Sequence, residues 1–180
     1  MKIIILFLFL ILSSAIYAQN DSIQKERYEV INALYKDVDI EQYDQIEIDK
    51  NFFIFLGLSA IISAPEFIDN LYGHCADFEN EKILSYSDII SKEDISEMHY
   101  QIGWLGNYKT VDSTLISDKI KLSDENDNSI TAITLPLISN NKAIVYRTNR
   151  NNTETLFVLI KKDGEWIIRC RKNLYLRFDD

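Results

Sequence analysis

The chain is poor in the residues that build metal centres and thiol chemistry. It holds two cysteines and two histidines among 180 residues. No Cys-x-x-Cys or His-x-x-x-His spacing occurs, so the common zinc frameworks are excluded. Basic residues are also short, 19 against 28 acidic ones, for a net charge of −9. A chain of that sign repels phosphate backbones and anionic lipid head groups, which argues against nucleic-acid binding and electrostatic membrane attachment. There is no internal repeat and no low-complexity segment. Only one long unbroken apolar run is present, and it lies at the start.

That run has the build of a secretory signal. Lys2 supplies a positive start, Ile3 to Leu12 an apolar stretch, and Ser13, Ser14 and Ala15 a drop in hydrophobicity. Ala18 is the small residue before a cleavage expected between Ala18 and Gln19. The stretch is shorter than the roughly 20 apolar residues that span a bilayer. Removing residues 1–18 of 180 leaves 162, enough for one domain with a real core, 19–180. Losing Lys2 takes the net charge from −9 to −10. The expected location is the periplasm or the cell exterior. No cysteine follows the signal's small residues, so lipid attachment there is not expected. Phe52 to Ala64 is apolar-rich, but Gly57, Ser59 and Ser63 interrupt it, and it is too short to span.

Export changes what the two cysteines do. An oxidising compartment permits one bridge, Cys75–Cys170. Closing a loop of 95 residues, it contributes roughly 4 kcal/mol in the chain-entropy model. The alternative is two separate buried thiols, which pack as small apolar groups.

Periodicity predicts helices first and strands afterwards. Residues 21–38 read as an amphipathic helix, with Ile23, Ile31, Leu34, Tyr35 and Val38 near helical spacing and Asp21 or Ser22 as N-cap. Residues 39–50 read as acidic and irregular. The stretch 52–64 fits helix or strand, Pro65 limits a preceding helix, and Glu66 to Tyr72 restarts one before Gly73. Ser91-Lys92-Glu93-Asp94 is a capping box ahead of a helix from Lys92 to about Ile102, which carries Ile95, Met98, His99 and Ile102 on one side. Residues 110–122 alternate loosely, and 124–128 form an exposed acidic loop. An antiparallel meander follows: Ile130–Leu137, Lys142–Arg147, Glu154–Lys161, Glu165–Lys172 and a final strand near Leu174–Phe178. Asn140-Asn141, Asn151-Asn152 and Asp163-Gly164 are its turns. Trp166, Ile168 and Cys170 are expected on the core face, with Ile167, Arg169 and Arg171 opposite. The fold class is α+β, N-terminal helices packed on a C-terminal antiparallel β-meander.

Three stretches carry a resemblance. Leu135-Pro136-Leu137-Ile138-Ser139-Asn140-Asn141-Lys142-Ala143-Ile144-Val145-Tyr146 resembles a β-hairpin of small exported Bacteroidetes proteins. Leu156 to Ile168, with its Lys162-Asp163-Gly164 turn and Trp166 strand, is similar to a second hairpin of that group. Ile90 to Ile95 with Met98, Gln101 and Trp104 looks like its middle helix. The resemblance covers about residues 83–171 and implies a compartment and a fold class, with no activity attached. Many members carry a glycine- and cysteine-rich turn between the last two hairpins, where this chain has Thr148-Asn149-Arg150-Asn151-Asn152-Thr153. The element order is also similar to the cone-shaped nuclear transport factor two-like fold, which hosts enzymes and binders alike.

The chemistry-bearing residues form no signature. Cysteine nucleophilicity needs His74 or His99 within reach of Cys75 or Cys170, and a disulfide cysteine beside a surface histidine is the favoured reading. Asp124, Asn126 and Asn128 mimic half a calcium loop, but Ser129 replaces the required glycine and Leu135 the required glutamate. Tyr86, Tyr100, Trp104, Tyr108, Tyr146, Trp166 and Tyr175 suit a sugar or protein surface if exposed, and core by default. No catalytic residue, metal ligand or cofactor is implied. The expectation is an exported, non-catalytic binding protein with a protein partner, and no nucleic acid or membrane once the signal is removed. One version is an immunity-type inhibitor of a basic toxin, since acidic charge speeds that association. The rival is a small hydrolase with a sheet-lined pocket, using carboxylates, His74 or His99.

Overall fold

In a computed structural model, the residues described are 22–36, 46–52, 58, 75–76, 83–103, 110–124, 130–149 and 154–174. The signal segment with its Ala18–Gln19 junction lies outside them. So do most of 52–64, the helix expected over 66–72, and the Asn151-Asn152 turn. The half calcium loop beyond Asp124 and the strand expected after Leu174 lie outside as well.

The architecture is α+β and mostly sheet. Helix α1 covers 22–34. It is followed by β1 (Ile46–Asp49), β2 (Cys75–Ala76), β3 (Ile83–Leu84), α2 (Tyr86–Ile89) and α3 (Lys92–Ile102). Then come β4 (Ile120–Ser123), β5 (Thr131–Ile133), β6 (Leu137–Ser139), β7 (Lys142–Asn149), β8 (Glu154–Lys162) and β9 (Glu165–Asn173). Seven strands make one sheet in the order β4-β1-β5-β7-β8-β9, with β6 also paired to β7, and β2 and β3 form a separate antiparallel pair.

The sheet is mixed, where the sequence predicts a purely antiparallel meander. Residues 46–49, expected to be irregular, form β1, which runs parallel to both β4 and β5. Ile46-Glu47-Ile48-Asp49 alternates apolar and acidic residues, and Ile48 is fully buried. Parallel neighbours need a long crossover, and the chain between β1 and β4 is ample for one.

α3 has the expected limits, and its box is formed. The Asp94 amide donates to Ser91 Oγ at 3.2 Å, and the Ser91 amide donates to Asp94 Oδ2 at 2.9 Å. Of the apolar side expected, Met98 is buried and Ile95 and Ile102 pack against the core, and the polar Asp94 and Gln101 are buried beside them. The turns at Asn140-Asn141 and Asp163-Gly164 are as expected, with positive φ at Asn140, Asp163 and Gly164. Gly164 at φ 87° suits the second place of a two-residue turn.

Two register shifts separate the sheet from a simple meander. The strand expected over 130–137 is split. Ile133 stands opposite Arg147, but Leu137 stands opposite Ile144, so Leu135 and Pro136 together face Val145. That is a β-bulge, and Pro136, lacking an amide hydrogen, is tolerated at such a site. Thr134 accommodates it: its amide donates to Tyr146 O, and its Oγ1 accepts from the Tyr146 amide.

The second shift lies between β8 and β9. Val158 pairs with Cys170 and Leu159 with Ile168, leaving Arg169 as the extra residue. Val158 and Leu159 point to opposite faces, so Ile168 and Trp166 lie on one face and Cys170 on the other. The expectation that Trp166, Ile168 and Cys170 share a face is therefore corrected. Both faces are covered, and Trp166 and Cys170 are each buried. α1 lies on the Trp166 face, where Glu26 and Glu29 reach Lys161. Among the described residues no helix is long and apolar enough to cross a membrane.

The short outer edge of β6 is closed by a side chain. Gln101 Nε2 donates to Ile138 O, and the Ile138 amide donates to Gln101 Oε1 at 3.0 Å. Arg27 of α1 is buried beside it, donating through Nε to Pro136 O at 3.1 Å and through Nη2 to Gln101 Oε1 at 3.3 Å.

Cys170 is fully buried and disulfide-bonded. The chain's other cysteine, Cys75, opens β2, and β2 packs against β9. A peptide map of alkylated, unreduced protein is expected to return one linked peptide holding Cys75 and Cys170. Two alkylated cysteines would contradict the bridge.

Candidate functional site

A cleft of about 390 Å³ opens between α1 and the β8–β9 turn. α1 contributes Glu29, Asn32 and Ala33, the turn that ends it Lys36, the β8–β9 turn Gly164, the start of β9 Glu165 and Trp166, and the segment before β4 Ser117 and Lys119. Asn32 fixes that segment, since its Nδ2 donates to Leu115 O at 3.1 Å and its Oδ1 accepts from the Ser117 amide at 2.8 Å. Lys119 Nζ donates to Lys36 O at 2.7 Å, placing a cation where the last carbonyls of α1 favour one.

Charges around the cleft are matched. Lys36 Nζ meets Glu165 Oε2 at 2.7 Å, with both side chains more than half exposed, 60% and 68%. Such a pair contributes about 1 kcal/mol or less. The Lys36 ammonium holds the Glu165 carboxyl below its ordinary pKa. Lys161 Nζ lies 2.7 Å from Glu26 Oε1, 3.4 Å from Glu29 Oε2 and 5.4 Å from the Trp166 ring centre. The Glu26 hydrogen bond raises its pKa. Trp166 Nε1 is buried with no hydrogen-bond partner among the described residues.

The second concentration of polar groups joins α3 to the β6–β7 turn. Buried Asp94 accepts from Ser139 Oγ at 2.8 Å and from Lys142 Nζ at 2.5 Å. Ser139 Oγ also lies 2.7 Å from Glu97 Oε2, so its one proton serves one carboxylate at a time. Burial alone would raise the Asp94 pKa. The Lys142 ammonium and the bonds from Ser91 and Ser139 outweigh it and hold the carboxyl at about 2.

The sequence-derived candidates are dispersed. His99 sits on α3, which contributes nothing to the cleft. Cys170 is in its disulfide on the opposite face from Trp166. His74 lies outside the described residues, and nothing is described of the Cys75 side chain. Tyr86, Tyr146 and Trp166 are core, whereas Tyr100 is 72% exposed; Trp104, Tyr108 and Tyr175 lie outside. Among the described residues no three His, Cys, Asp or Glu side chains are grouped to hold a metal ion. Trp166 is the one cleft residue the sequence singles out; Lys36, Lys119 and Glu165 carry no signal of their own. No family model, no curated protein and no solved structure matches the chain.

The Asp94 cluster has a pH signature. An unfolded aspartate titrates near 3.9, so the folded chain binds this proton more weakly. The stabilisation is nearly complete above about pH 4 and is lost as pH falls toward 2, about 2 to 3 kcal/mol in all. Urea unfolding should show Asp94→Asn less stable than wild type at pH 7 by about 2 to 3 kcal/mol. That gap should close between pH 4 and 2; a gap constant across this range would contradict the assignment.

Proposed function

We propose that the chain is an exported, non-catalytic binding protein whose working surface is the cleft between α1 and the β8–β9 turn. One observation carries the reading: the exposed Lys36–Glu165 pair crosses a cleft that has Ala33 and Trp166 among its lining. An exposed pair costs little to open, so a partner's charged side chain can exchange with it while an apolar group enters below. Net charge −9 favours a basic protein partner, the immunity-type inhibitor being one such case. Export is supported by the apolar run at residues 3–12 and by the disulfide-bonded state of Cys170. α1 laid on the β7–β9 meander supports the finer fold reading, N-terminal helices on a C-terminal antiparallel sheet. A hydrolase has less support, because the Lys36 ammonium lowers the Glu165 pKa, which disfavours a general acid there, and His99 does not line the cleft.

The test is retention of native envelope and secreted proteins on immobilised residues 19–180, beside Glu165→Lys. One protein held near one-to-one by wild type and released at least about tenfold more readily by Glu165→Lys is expected. Retention of nothing, or equal retention by the variant, would contradict the proposal.

A further inference from the structure

Away from the cleft, two arginines share one aromatic ring. Val145, Phe157 and Arg171 stand opposite one another on β7, β8 and β9, and Arg147 follows Val145 by two residues on the same face. The Arg147 Cζ lies 4.8 Å from the Phe157 ring centre and the Arg171 Cζ 5.9 Å. Both fall within the range in which a cation is drawn to a ring face. Phe157 is only 4% exposed, whereas Arg171 is exposed and Arg147 half-buried. Neither arginine lines the cleft.

Counter-charge is abundant in this chain, yet the pair meets none of it among the described residues. Acidic side chains outnumber basic ones 28 to 19. Lys36, Lys50, Lys121, Lys142 and Lys161 each meet a carboxylate. Among the described residues neither Arg147 nor Arg171 has an ion-pair partner. Arg147 also faces the hydroxyl of buried Tyr35, a neutral group. Two like charges beside one ring repel, and a half-buried charge without a counter-ion is costly. A guanidinium drawn to a ring by its charge keeps in-plane N–H donors that fit the two oxygens of an oxyanion.

We propose that Arg147 and Arg171 form an oxyanion-binding site, taking a carboxylate or a phosphoryl group between their guanidinium forks. The forks flank Phe157 from β7 and β9, and an anion held by both offsets their repulsion. The site is independent of the cleft and stands whether or not the cleft binds a protein.

The experiment is titration of residues 19–180 with inorganic phosphate and, separately, with succinate, at ionic strength held constant with chloride. The readout is the NMR signals of the arginine Nε–H groups. Saturable shifts confined to Arg147 and Arg171 are expected. Saturation with phosphate alone identifies a phosphoryl ligand, with succinate alone a carboxylate, and with both the shared oxyanion chemistry. Arg171→Lys, an exposed change that keeps the charge but loses the fork, should weaken binding about tenfold. Linear shifts spread over all arginines, no shift, or unchanged affinity in Arg171→Lys would overturn the site.

Discussion

The β6 edge of the sheet is closed by a glutamine, and the placement of α1 depends on it. Ile138 is the middle residue of β6, so its amide and carbonyl point away from β7. Gln101 carries the same donor and acceptor as a peptide group and takes both. Arg27 then reaches the same Gln101 oxygen and the Pro136 carbonyl exposed by the bulge. One buried network therefore joins α1, α3 and the β5–β6 segment. Without Gln101, two backbone groups would be buried unpaired, at about 1 to 3 kcal/mol each. α1 would also lose one of its polar anchors, and with it the wall that supplies three cleft residues.

The two bulges distribute the chemistry between the faces. The one at Leu135 and Pro136 exposes the carbonyl that receives Arg27. The one at Arg169 turns β9 over midway, so that Trp166 meets α1 while Cys170 faces away. A regular β9 would put both on one face, and the cleft wall and the disulfide would compete for the same space. The same pairing register that carries Arg171 past the bulge sets it opposite Phe157 and beside Arg147.

Local features were legible in the sequence. Helix α3 and its box depend on residues three apart, and the Asn140 and Asp163-Gly164 turns depend on positive φ at adjacent residues. The α+β class followed from those periods. β1 was missed although Ile46-Glu47-Ile48-Asp49 alternates, because four residues beside an acidic stretch give a weak period. Its parallel partners lie more than 70 residues away. The bulges were invisible because pairing register belongs to two strands and not to one. The cleft was invisible for the same reason: Lys36 and Glu165 are 129 positions apart, and neither belongs to a motif.

The central claim is that Gln101 closes the free edge of β6 as a neighbouring strand would. Native-state hydrogen exchange of the Ile138 amide, in wild type and in Gln101→Ala, tests it most directly. The account predicts that wild-type Ile138 is protected to the level of the β7 amides, and that the variant loses this protection at Ile138 while β7 and β8 keep theirs. Equal Ile138 exchange in the two proteins would mean that the edge is closed by something else, and that the network joining α1 to the sheet is not what holds the cleft.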